Sequence, residues 1–285
     1  MLATAIRNAI ANRANRAPIK LDASKKRAER TRKLSSAILW TGNSLIDGAP
    51  VMLIATYDSN NAKTGNMVQT FILRRDVTPL QAIHSGADSS ICGKCPHRGT
   101  IESRPNDAGI LGLINTGRSC YVNVSKSIQS IYGAYQRGGY PTIDPAVFGA
   151  GRKIRIGSYG DPAAVPAAVW RALLSRADAR VRTGYTHQWD SGRADIAEYM
   201  DLCMASADSV ADAARAQSAG WRTFRVAPLG DLPVAGEISC PASAESGHKT
   251  TCANCGLCAG AQPDRARPIP SIVIQDHGPQ KLRAS

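Results

Sequence analysis

Acidic residues are scarce in this chain and large aromatics scarcer: 22 Asp and Glu face 35 Lys and Arg, and the 285 residues include only three Phe. Nowhere does an apolar stretch approach the about 20 residues that a membrane-spanning helix needs. The N-terminal MLATAIRNAIANRANRAPIK also lacks the apolar central block of a secretory signal. Three familiar motifs are missing too. Without G-x-x-x-x-G-K-[ST], G-x-G-x-x-G or H-E-x-x-H, P-loop, Rossmann and zincin chemistries are set aside. A hydrophobic content of 43% is ample for a core. The expectation is a folded protein of a bacterial cytoplasm.

The formal charge of +13 is unevenly spread. Residues 1–36 hold ten Lys and Arg against Asp22 and Glu29, a net +8 that leaves +5 for everything after them. Such a segment, rich in Ala and Asn, cannot bury enough apolar surface to fold alone, although ASKKRAERTRKL could turn helical against a polyanion. It reads as an arm that is a solvated extension, a phosphate-neutralising contact to nucleic acid, or an Arg-rich targeting peptide.

Residues 37–285 read as a single α/β domain with a cysteine-rich loop at 240–260. PVMLIATY (50–57), VQTFILRR (68–75) and GILGLIN (109–115) have the apolar, β-branched character of strands. VNVSKSIQSIYGAYQRGG spaces Val124, Ile128, Ile131 and Tyr135 as a helix would and stops at two glycines. A regular rhythm follows. KIRIGSYGD, RVRTGYTHQW, LCMASADS and WRTFRVAP are expected strands, separated by helices in PAAVPAAVWRALLSRAD, ADIAEYMD and VADAARAQSAG; GEISCPAS and PSIVIQDHG would be two more strands. The alternation predicts a parallel, barrel-like βα sheet, a partial TIM-type barrel. In such folds the loops after the strands form the working face. Ser158, Tyr159, Gly160 and Asp161 lie there at the end of one strand, Tyr185, His187 and Trp189 at the end of another, and Ser206 and Asp208 at the end of a third. Asp161, Tyr185, His187 and Asp208 are candidate catalytic residues, with His187 the natural proton carrier; Ser158, Gly160 and Ser206 are candidate cofactor contacts. The plainer alternatives are that Asp161 and Asp208 cap the helices after them and that Tyr185 and Trp189 pack.

Eight cysteines in a reducing compartment point to metal ligation rather than disulfides. One set is Cys240-x11-Cys252-x2-Cys255-x2-Cys258, with Gly256 inside the tight turn. Thiols at successive x2 intervals resemble the ligands of a four-iron cluster, whereas zinc more often takes two separated C-x2-C pairs; both readings stay open. The other set is Cys92-x2-Cys95 and Cys120, with Cys203 or His97 as a possible fourth ligand. The C-P-H-R-G piece is half of a Rieske motif, but Asn123 stands where the second histidine would be needed. Cys203 could equally be a small buried apolar residue.

Cys92, Cys95 and Cys120-Tyr121, then IGSYGD (156–161), then GYTHQW (184–189) resemble the phage and plasmid "gene eighty-eight" protein family over roughly residues 40–260. The resemblance implies mobile-element biology and, by analogy of strand order and cysteine loops, kinship to radical S-adenosylmethionine barrels. No C-x3-C-x2-C follows an early strand, which counts against adenosylmethionine cleavage. Two functions are thus expected: an iron–sulfur enzyme with one or two clusters acting on nucleic acid or a nucleotide, or a non-catalytic nucleic-acid-binding protein stabilised by zinc.

Overall fold

A computed structural model describes residues 35–57, 61–105, 111–178, 181–247, 249–262 and 269–276. Apart from Ser35 and Ser36, the basic arm lies outside these residues.

Three antiparallel strands begin the described chain: β1 (Ser36–Asn43), β2 (Pro50–Thr56) and β3 (Val68–Arg74). Antiparallel neighbours need only short connections, and the chain uses them here. VMLIA and VQTFIL are buried on both faces, which is why they read as continuous apolar runs rather than alternating ones. Two short helices follow, α1 (Pro79–Ser85) and α2 (Ser89–Cys92), then a separate hairpin of β4 (Thr100–Pro105) and β5 (Leu111–Thr116). Next come a π-type turn at Val124–Ile128, α3 (Gln129–Gln136) and α4 (Pro145–Gly149).

From there the expected rhythm appears: β6 (Ile154–Tyr159), α5 (Ala167–Leu174), β7 (Arg182–Thr186), β8 (Met204–Ala207), α6 (Val210–Ser218), β9 (Thr223–Ala227), β10 (Glu237–Ser239), α7 (Cys252–Cys255) and β11 (Ser271–Gln275). The strands form one nine-stranded sheet in the order β1-β2-β3-β6-β7-β8-β9-β11-β10, parallel from β3 to β10.

Two expectations change. The sheet is open, because β1 and β10 form its edges and are not paired with each other among the described residues; no closed barrel results. The antiparallel start and the insertion of β11 between β9 and β10 both depart from the sequential parallel order that barrel closure uses. ADIAEYMD, expected to be a helix, forms only a single 3-10 turn at Ile196–Tyr199. Its ends are tethered elsewhere: Arg193 pairs with Asp195 and donates to the Ala163 carbonyl, and the Tyr199 hydroxyl donates to the Val165 carbonyl.

The pleat divides the parallel part into two apolar layers. Met204, Phe224, Val226, Ile272 and Ile274 face one side, where Cys240, Cys252, Leu257 and Cys258 cover them. Ala205 faces the other, packing with Ala216 of α6 and with Trp221 in the main core. α5 buries Ala167, Trp170, Leu173 and Leu174 at helical spacing, and the Trp170 indole donates to the Pro162 carbonyl at 2.9 Å.

Candidate metal centres

The first thiol set is assembled by backbone bonds. Cys95 donates its N–H to the Cys92 carbonyl, and the N–H groups of Ser119 and Cys120 both donate to the His97 carbonyl, at 3.1 and 2.9 Å. Cys92, Cys95, His97 and Cys120 therefore share one neighbourhood, although Cys120 lies 25 positions after Cys95 (120 − 95). A buried ion cluster fixes the frame: the Asp88 carboxylate accepts from Arg98 at 2.8 Å and from Arg118 at 3.2 Å. Gly93 takes a φ of 56°, and a Cβ there would sit 2.2 Å from the Gln188 amide nitrogen, so only glycine lets the Cys92–Cys95 turn press against the β7 exit.

Burial pushes the Cys92 thiol well above the usual range, with the neighbouring Cys95 and Asp88 charges adding to the effect, and burial raises Cys120 as well. Free thiols held this way are protonated and inert as nucleophiles. Tyr159, at the end of β6, lies close enough to Cys92 and Cys120 to feel their charge, and burial raises its pKa further. Its hydroxyl is buried without a hydrogen-bond partner among the described residues.

Beside these thiols the ends of β7 and β8 present His187 and Asp208. His97 Nε2 is 3.0 Å from Asp208 Oδ1; His187 Nε2 is 3.4 Å from Oδ1 and 3.3 Å from Oδ2. The other nitrogen of His97, Nδ1, is 2.8 Å from the Ser119 hydroxyl. The three ligand atoms lie within 4.8 Å of one another, and among the described residues no other three or more His, Cys, Asp or Glu side chains gather so tightly. The two imidazoles hold Asp208 far below the carboxylate range against the opposing effect of burial. His187 is raised well above neutral by Asp208 and Cys95, although burial works against this.

Asp161 stands behind this group. Its carboxylate accepts from the Ala163 N–H at 2.9 Å, the Thr186 hydroxyl at 2.7 Å and the His187 N–H at 2.8 Å. It caps the turn after β6 and fixes the backbone from which His187 projects. Asp208 is not the cap of α6; Ser209 fills that position, accepting from the Asp212 N–H at 3.0 Å.

The second thiol set lies on a face of the sheet. Cys240, Cys252, Cys255 and Cys258 line one small cavity with Thr183, Gly256 and Ile272. Its volume of about 10 Å³ is that of a single water site. The loop is pinned at several points: the Cys240 N–H donates to Val273, the Cys252 and Ala253 N–H groups to the Lys63 and Thr64 carbonyls, and Lys153 Nζ to the Ala253 carbonyl. Gly256 ends α7 at a φ of 66°, the left-handed turn that the spacing calls for. Burial raises the Cys258 thiol to about 12, partly offset by the Tyr185 hydroxyl, which donates to it. The Thr183 hydroxyl is buried without a partner among the described residues. Arg155 stands between the two sets: it donates to the Tyr121 hydroxyl at 2.8 Å, and its charge counteracts the burial that raises Cys252.

The expected catalytic group thus divides. His187 and Asp208 meet, together with His97; Asp161 supports them from behind; Tyr185 packs against Phe224, centroids 4.2 Å apart at a 40° tilt, and faces Cys258 instead. Ser158 donates to Gln69, Gly160 passes tightly over Ile72, and the Ser206 carbonyl accepts from the Trp189 indole. Cys203 is buried in the main core, its thiol donating to the Tyr199 carbonyl. Sequence reasoning placed Tyr159 on the working face but did not single out Ser119 or Arg155, whose types carry no motif and whose roles come from contacts distant in sequence. No family model, curated protein or solved structure matches the chain.

Proposed function

We propose that this protein is an iron–sulfur metalloprotein of mobile-element type that acts on nucleic acid or nucleotides. One cluster is held by Cys240, Cys252, Cys255 and Cys258, and a second by Cys92, Cys95 and Cys120 with one iron free of cysteine. The sheet serves as a partial barrel wall, with the C-terminal loop filling its concave side.

The observation that carries the reading is the spacing of the four thiols around one cavity. A tetrahedral zinc ion with Zn–S bonds of about 2.3 Å sets its sulfurs only about 3.8 Å apart. No three cysteine sulfurs here lie within 4.8 Å of one another, although the four line the same space. Thiols that do not crowd to one point fit ligands at the separate corners of a four-iron cluster better than a single zinc ion. The cavity is of single-water size, so taking a four-iron cluster requires the loop to open around it. The partnerless hydroxyls of Thr183 and Tyr159, one beside each thiol set, add support, because a buried unpaired hydroxyl costs about 1–3 kcal/mol unless an ion, cluster or water meets it. The nucleic-acid half of the reading rests on the +8 arm.

Anaerobic purification with iron, acid-labile sulfide and zinc analysis tests it. Iron and sulfide in equal amounts, with a visible charge-transfer band, are expected. Stoichiometric zinc without sulfide would overturn the cluster and leave a zinc-stabilised nucleic-acid-binding protein.

A further inference from the structure

The geometry points to a third centre: a mononuclear site for a divalent first-row transition metal, held by His97 Nε2, His187 Nε2 and one Asp208 carboxylate oxygen. It uses no cysteine, so it stands or falls separately from the thiol-held clusters.

Distances decide between a metal site and a simple His–Asp–His hydrogen-bond cluster. A charge-assisted N–H to carboxylate bond is about 2.7–2.9 Å long. His187 Nε2 is instead 3.4 and 3.3 Å from the two Asp208 oxygens, nearly equidistant and too far from either for such a bond. Two donor atoms each about 2.0–2.2 Å from a shared ion lie roughly 3.0–3.5 Å apart at octahedral to tetrahedral angles. The separation of His97 Nε2 from Asp208 Oδ1, 3.0 Å, and those of His187 Nε2 from the two Asp208 oxygens, 3.4 and 3.3 Å, fall in that window, and the three ligand atoms all lie within 4.8 Å of one another.

The support behind the ligands has the same character. Metal-bound imidazoles usually bond through their second nitrogen to a fixed polar group, which sets the tautomer and aims the ligand nitrogen. Ser119 does this for His97, at 2.8 Å from Nδ1. His187 is held less directly: Asp161 accepts its main-chain N–H at 2.8 Å and fixes the backbone from which the imidazole projects. His187 and Asp208 follow directly on adjacent parallel strands, at the edge where α/β sheets place ligands.

Two histidines and one carboxylate leave coordination positions free, the donor set of sites where an iron(II) or zinc ion also binds water or substrate. The three side chains keep 16%, 17% and 28% of their exposure, so the group is held on one side and open on the other. An ion there would sit beside Cys95, which puts it next to the first thiol set and makes this edge a composite site.

Cobalt(II) titration of the full-length, anaerobically purified, chelator-treated chain tests the inference, since its ligand-field spectrum separates nitrogen and oxygen ligands from thiolates. One cobalt per chain without a thiolate charge-transfer band is expected. His97→Gln and Asp208→Asn should each weaken it about 100-fold or more, and Ser119→Ala about 10-fold through loss of orientation. Cys258→Ala should leave it unchanged even where it removes cluster iron, which separates failure of this site from failure of the thiol reading. Folding of each variant is followed by circular dichroism. Absence of a cobalt site in the folded wild-type chain, or equal affinity in folded Asp208→Asn, would overturn the proposal.

Discussion

Asp161 shows how one side chain can serve as both cap and support. Burial raises its pKa, and three donated hydrogen bonds work in the opposite direction. Asp161→Ala would strand the Ala163 N–H, the Thr186 hydroxyl and the His187 N–H in a buried place, at a cost of about 3 kcal/mol. Asp161→Asn keeps one accepting oxygen and should cost about 1 kcal/mol. Urea denaturation of both variants measures the difference; equal stability of Asp161→Ala and the parent would show that these bonds are replaced by water. The reading of Asp161 as a cap was available from DPAAVP, where Pro follows the acid. The third bond, to His187, was not, because it joins two strand exits 26 positions apart.

Among the elements, the loop bearing α7 is the one whose removal tests most. Its thiols are raised by burial, so under the proposed reading a metal would have to displace their protons, coupling its binding to pH and folding. Cys252→Ala, Cys255→Ala and Cys258→Ala are each expected to lose the C-terminal cluster and lower Tm by several degrees, read by iron analysis and thermal melts. Cys240→Ala asks whether the fourth thiol closes the set: loss of metal marks a closed, four-thiolate site, and retention marks an iron left open. Wild-type metal content and Tm in all four would rule out metal at this end. These elements were largely legible. β2, β3 and β6 to β11 follow from apolar runs, and the Cys252–Cys258 turn follows from spacing and Gly256. β1 was missed because SAILWTGN follows directly in sequence on the polar arm, and β4 because TIESRP carries no apolar pattern at all. The meeting of His97 with His187 was also hidden, since the two come from loops after different strands; the only trace was the histidine in CPHRG.

At the scale of the whole molecule, charge and sheet are separable. Deleting residues 1–34 removes ten basic and two acidic side chains, taking +13 to +5. If the arm neutralises phosphates, the deletion should weaken nucleic-acid binding and flatten its dependence on log salt by several units of slope, with the melting temperature unchanged. Fluorescence anisotropy at a series of salt concentrations measures this, and an unchanged slope would remove the arm from binding. The open sheet leaves the face of Met204, Phe224 and Val226 dependent on residues 240–275, the cysteine loop and β11, for its cover. The contact between Lys153 and Ala253 spans 100 residues. During synthesis, then, most of the sheet leaves the ribosome before this cover exists, and the face of Met204, Phe224 and Val226 stays bare until residues 240–275 follow. Contacts this distant in sequence form late and slowly, and chains waiting for them are prone to aggregate. The yield of protein in a cell thus depends on how soon this loop closes, and under the proposed metal reading the supply of metal to its thiols becomes a step in biogenesis.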